Sequence, residues 1–131
     1  MVMIVVDPSS GVPVFRQVMD QVRFHIAGGL LRPGDELPAT RSLSAELGVN
    51  PMTISKAYNL LERDGVLARR PGKPLVVAAL DAGEIQIEKV EQLRTSLAAA
   101  VRVARQLGVP PDEALSIYEE LLQGASDEEQ P

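Results

Sequence analysis

The sequence predicts a mainly α-helical chain with one small β element, on three observations. Apolar residues recur every three or four positions over most of its length. One short stretch breaks instead into two β-prone runs around a basic turn. Glycine or proline separates each segment from the next.

The elements follow in order. Residues 1–6, MVMIVV, read as a short strand or arm, and an apolar tuck against the core accounts for them better than any function. Pro13 opens a helix running to about Ala27, with Val14, Val18, Val22 and Ile26 spaced at four and facing inward. His25 on this helix has no second ligand nearby and reads as structural. Gly28-Gly29 ends the helix, and Arg32-Pro33-Gly34-Asp35 turns the chain, leaving Asp35-Glu36 as a solvated loop.

The next stretch, LPATRSLSAELGVNPMTISKAYNLLERDGVLARRPGKPLVV, spans Leu37 to Val77. Leu43, Ala45 and Leu47 pack inward from a short helix that Gly48 stops, since a helix C-terminus favours a residue tolerant of left-handed geometry. Val49 buries in the turn. Asn50 caps a second helix and Pro51 takes its first position, where a missing N–H costs nothing. Ile54, Ala57, Tyr58 and Leu61 mark the inward face of that helix, with Met52, Lys56, Asn59 and Arg63 opposite. Gly65 ends it. Strands at Val66–Ala68 and Leu75–Ala78 then flank the turn Arg69-Arg70-Pro71-Gly72-Lys73. Helix, tight turn, capped helix and basic hairpin, in that order, make a winged helix-turn-helix, which places one helix in the DNA major groove.

The C-terminal third is a separate helical element. From about Asp81 to Leu107, residues Val90, Leu93, Leu97, Ala100, Ala104 and Leu107 alternate spacings of three and four, with Val101 beside them. That is a heptad seam suited to a partner helix. Gly108 and Pro110-Pro111 end it, and a shorter helix from Asp112 to Gln123 carries Leu115, Ile117, Tyr118, Leu121 and Leu122. Such a hairpin encloses little core alone, so the expectation is that two copies pair as a homodimer. The organisation is therefore a winged helix-turn-helix domain over 1–80, a helical dimerisation region over 81–124 and a disordered acidic tail over 125–131.

The residues quoted, together with the opening DPSSGVPVFRQVMDQV, resemble the GntR-type bacterial transcription regulators, and within them the short YtrA-like subgroup. The likeness runs from about Asp7 to Ala78; beyond that only length and helical character agree. It implies that Arg41 opens the helix before the turn and contacts DNA. It also implies that Asn50, Thr53 and Ser55 begin the recognition helix, and that the wing tip at Gly72 approaches the minor groove. Two features depart from the family pattern: Met52 stands where a polar residue is common, and RRPGKPLVV replaces an RRGxGTFV-like wing. Larger relatives carry an effector domain after the DNA module. Here only about fifty residues remain, without histidine, so no family-style metal site and no cofactor are expected, and a small-molecule effector has no identified seat.

Composition bounds the alternatives. At 131 residues the chain supports one core with an appended element. Aromatics at 3% leave little for stacking on single strands or RNA loops. The lack of cysteine excludes disulfides and thiolate metal sites. The opening apolar run is short and lacks a basic lead, so it reads as no signal peptide, and nothing reaches membrane-span length; a cytoplasmic protein without a membrane partner is the expectation. No nucleophile–base pair or phosphate-binding glycine loop suggests an enzyme. The net charge of −5 is unevenly spread. Residues 1–80 hold nine Lys/Arg against seven Asp/Glu, and residues 81–131 hold four against eleven. Local field governs phosphate contact, so the acid lies apart from the proposed groove face.

The site predicted for double-stranded DNA is Arg41, Asn50, Met52, Thr53, Ser55, Lys56, Arg69, Arg70, Gly72 and Lys73. Thr53 and Lys56, in the first turns of the helix, fall to the groove floor or its edge, and Met52 offers apolar contact to a thymine methyl. The implied function is a sequence-specific repressor that reads a palindromic operator as a homodimer. The alternative is a winged-helix protein-interaction module without DNA binding, which the cationic turn and outward Lys56 disfavour.

Overall fold

The computed structural model describes residues 4–129, and side chains to residue 125. Helices α1 (Val14–Ala27), α2 (Thr40–Leu47) and α3 (Pro51–Arg63) precede strands β1 (Leu67–Ala68) and β2 (Val76–Val77). Helices α4 (Ala82–Leu107) and α5 (Pro111–Glu129) follow. The chain divides into two compact units, the first ending at Gln92 and the second beginning at Leu93, so the division falls inside α4 rather than at residue 80.

The core of the first unit is built from the faces that periodicity marks. Val18, Val22 and Ile26 of α1 are buried against Ile54, Ala57, Tyr58 and Leu61 of α3 and Leu43 of α2. α3 is the central element, packed on α1, α2 and β1. Ile4 is also buried, and Gln21 holds the backbone of Val5 in both directions, so the N-terminal segment tucks in without forming a strand over its described residues. In α2 the inward small residue is Ser44, not Ala45, which is exposed. The Ser44 hydroxyl donates to the Arg41 carbonyl at 2.9 Å, so a polar side chain is buried with its donor satisfied inside its own helix.

The wing has an additional edge. β1 and β2 are antiparallel, with Leu67 opposite Val77 and Ala68 opposite Val76. The other side of β2 meets Glu36 through an antiparallel bridge, with the Leu37 N–H donating to the Leu75 carbonyl at 2.8 Å and Val77 to Asp35 at 2.9 Å. Asp35-Glu36 is thus an exposed pair of side chains on a paired backbone. The Asp35 carboxylate accepts from the Arg32 N–H at 2.8 Å and shapes the turn before it.

α4 opens on a capping box: the Glu84 N–H donates to Asp81 at 2.8 Å while the Glu84 carboxylate reaches back to the Asp81 N–H at 3.5 Å. Its first turns belong to the first unit, where Arg23 of α1 bridges Asp64 at 2.9 Å and Glu88 at 3.3 Å. The second unit contains the rest of α4, a left-handed turn at Gly108 (φ 72°) and α5. α4 buries no residue. α5 continues through Gly124 to Glu129, where a disordered tail was predicted from residue 125; residues 130–131 lie outside the described residues. A lone helical glycine costs about 1 kcal/mol against alanine, too little to stop a helix with good formers on both sides.

Candidate nucleic-acid interface

α3 owes its start to three adjacent residues. Gly48 ends α2 at φ 68°, in the left-handed region, and the Val49 N–H donates to the Ser44 carbonyl at 3.0 Å. The Asn50 side-chain oxygen then accepts from the Met52 N–H at 2.8 Å, which fixes the first turn of α3. With its inner face buried, α3 turns Met52, Lys56 and Asn59 outward, and Met52 is 77% exposed. Thr53 and Ser55 are half-buried beside them.

Between the start of α2, the outer face of α3 and the wing lies an open cleft of about 320 Å³. Thr40, Ser55, Asn59, Arg69 and Lys73 supply its polar lining, and Tyr58 lies beneath them. The Tyr58 hydroxyl donates to the Pro38 carbonyl at 2.9 Å, locking α3 to the entry of α2, and burial holds its phenol well above the ordinary value of 10.0. The wing turn is closed by the Lys73 N–H on the Arg70 carbonyl at 3.1 Å. Gly72 takes φ 68°, which a side chain would strain.

The cations are held differently from one another. Arg69 is paired with Glu62 of α3 (Nε to Oε2, 3.0 Å). The Lys56 ammonium lies 4.0 Å from the centre of the Phe15 ring. Arg41, Arg70 and Lys73 are exposed and form no ion pair among the described residues.

Of the sequence-predicted site residues, Ser55, Arg69 and Lys73 meet in the cleft, Arg70 and Gly72 form the wing tip, and Arg41 sits exposed in the first turn of α2. The side-chain oxygen of Asn50 is committed to its cap. Sequence reading missed Thr40 as a lining residue, along with Glu62 and Phe15, whose roles arise from tertiary neighbours that no local pattern reveals. Asn59 was legible as an outward residue but not as part of the cleft. Among the described residues, no three His, Cys, Asp or Glu side chains stand together to hold a metal, and no helix is long and apolar enough to cross a membrane.

Residues 15–77 match the family described as bacterial regulatory proteins, gntR family. The HTH-type transcriptional repressor YtrA of Bacillus subtilis is 31% identical over 107 residues, covering 82% of each chain. The structure of YtrA from Sulfolobus acidocaldarius, a GntR-family transcription factor, is 34% identical over 76% of this chain and 97% of that one, with a TM-score of 0.56. The DNA-binding domain of AraR, solved in complex with operator ORX1, is 29% identical over 56% of this chain and 90% of that one, with a TM-score of 0.50. The winged helix, its capped recognition helix and these likenesses lead to one assignment: the chain belongs to the gntR family of bacterial transcription regulators.

Proposed function

We propose that the protein is a cytoplasmic repressor that reads a palindromic operator as a homodimer, with one α3 in the major groove of each half-site. The observation that carries this reading is the capped α3, whose open outer face is flanked by Arg41, Arg70 and Lys73, exposed cations that form no ion pair among the described residues. Met52, Thr53 and Ser55 face the groove and Lys56 its floor or edge, while Arg41 and the wing lie toward the phosphates. Operator binding by AraR and repression by YtrA support the assignment. The dimer rests on α4, where Val90, Leu93, Val101 and Leu107 are 43–74% exposed in the single chain, too much apolar surface to leave in water. Leu97, Ala100 and Ala104 complete the seam. Two copies would set their half-sites about 10 base pairs apart.

The test is selection of bound fragments from random and genomic DNA by the purified protein at roughly physiological salt. An inverted repeat should be enriched. Leu97→Glu should sediment as a monomer and lose palindrome binding while the first unit stays folded. A Leu97→Glu protein that remains dimeric misplaces the seam, and a wild-type protein that enriches no sequence removes the specific-regulator reading.

A further inference from the structure

The Phe15–Lys56 contact has no place in the groove-reading scheme, and it differs in kind from every other cation contact described. Arg23, Arg63 and Arg69 each meet a carboxylate, which fixes the side chain and cancels its charge. Lys56 meets the face of an aromatic ring at 4.0 Å. A ring restrains an ammonium through its quadrupole but carries no net charge to neutralise it. The cation is therefore oriented and still available to an anion.

The ring is itself well anchored. Phe15 is half-buried, packed on the core from the first turn of α1. The segment leading into that turn is tied down by Gln17, whose side chain donates to the Asp7 and Val12 carbonyls at 2.8 Å each and accepts from the Asp7 N–H at 2.7 Å. A free lysine loses rotamer entropy when it is held in one place, and here the folded protein has already restricted it.

We infer that Phe15 is a positioning residue for DNA binding: its ring presents the Lys56 ammonium, pre-oriented and un-neutralised, to a backbone phosphate at the groove edge beside the first turn of α1. The inference rests on the DNA-binding reading above, and it concerns α1, which that reading leaves out of the interface.

Two measurements on the full chain test it. In NMR spectra, ring current should shift the Lys56 ε-methylene protons upfield; the shift should persist when a bound duplex is added, stay in Phe15→Tyr and vanish in Phe15→Leu. Absence of the shift in the wild type, or its loss on adding DNA, overturns the proposal without requiring any variant to fold. Duplex titrations over a range of salt then form a cycle. Lys56→Met should lower the salt slope by about one, as loss of a phosphate contact does. Phe15→Leu should weaken binding about 2–5-fold with the slope kept, Phe15→Tyr should match the wild type, and Phe15→Leu should add nothing in the Lys56→Met background. An equal loss from Phe15→Leu in both backgrounds makes the ring merely structural and overturns the positioning role alone. A wild-type protein that binds no duplex at any salt overturns the DNA reading itself, whatever the ring-current shift.

Discussion

The two units of this chain use the same helical periodicity to opposite effect. In the first, each apolar residue at three- or four-residue spacing on α3 is buried, and Leu61 and Ile54 are fully enclosed. In the second, an equally regular stripe leaves Leu121 68% exposed and Leu115 65% exposed. Periodicity identifies which face of a helix wants to leave water. It does not say whether the cover comes from the same chain.

One pair of substitutions separates the two cases. Leu61→Ala empties a site with 0% exposure and should destabilise the first unit by about 2–5 kcal/mol, read from denaturant unfolding at any protein concentration. Leu121→Ala removes the same atoms from an exposed site. It should leave the unfolding midpoint of the first unit unchanged and weaken only a transition that depends on concentration, as an assembly must. A concentration-independent loss from Leu121→Ala would mean that α5 is covered within its own chain.

A smaller effect comes from the one phenol buried in the first unit. Tyr58 joins α3 to the chain entering α2 through the Pro38 carbonyl, and Tyr58→Phe should cost about 1 kcal/mol near neutral pH. The sign of its pH dependence follows from burial, which raises the folded-state pKa above the ordinary 10.0. The unfolded chain therefore releases the proton first, and the wild type loses this stability as pH rises beyond about 10. The gap between wild type and Tyr58→Phe should be constant below that pH and change above it. A gap that is flat to strongly alkaline pH would mean that the phenol is not enclosed.

The same contrast explains what the sequence could and could not tell. Gly48, Asn50, Pro51 and the four inward residues of α3 announce themselves because caps, turns and buried faces are set by neighbours a few positions away. Ser44 was missed in favour of Ala45 because its polarity hides a hydroxyl satisfied within its own helix. The cleft joins residues from 37 to 75 across three elements and the Phe15–Lys56 contact joins α1 to α3, so no short window of sequence contains them. Glu62 and Arg69 are only seven residues apart, but the turn at Gly65 lies between them and helical spacing does not pair them. The end of α5 was drawn too early because glycine weakens a helix without dictating its end.

Charge offers the finest test of the difference between the units. Glu62 sits under the wing and holds Arg69 at 3.0 Å, a partly exposed pair worth about 0–1 kcal/mol to stability. It also places a carboxylate against a cation that lines the cleft. Glu62→Gln should leave folding nearly unchanged, free Arg69 for a phosphate and tighten duplex binding by roughly 2–5-fold, with a salt slope steeper by up to about one. Glu119→Gln in α5 makes the same change in net charge within the acidic second unit and should alter neither quantity, because local field rather than total charge acts on DNA. Equal gains from both substitutions would mean that the −5 of the whole chain, and not the pairing at the wing, limits binding. A loss from Glu62→Gln alone would instead make Glu62 the residue that aims Arg69 at the duplex, by the geometry of its ion pair.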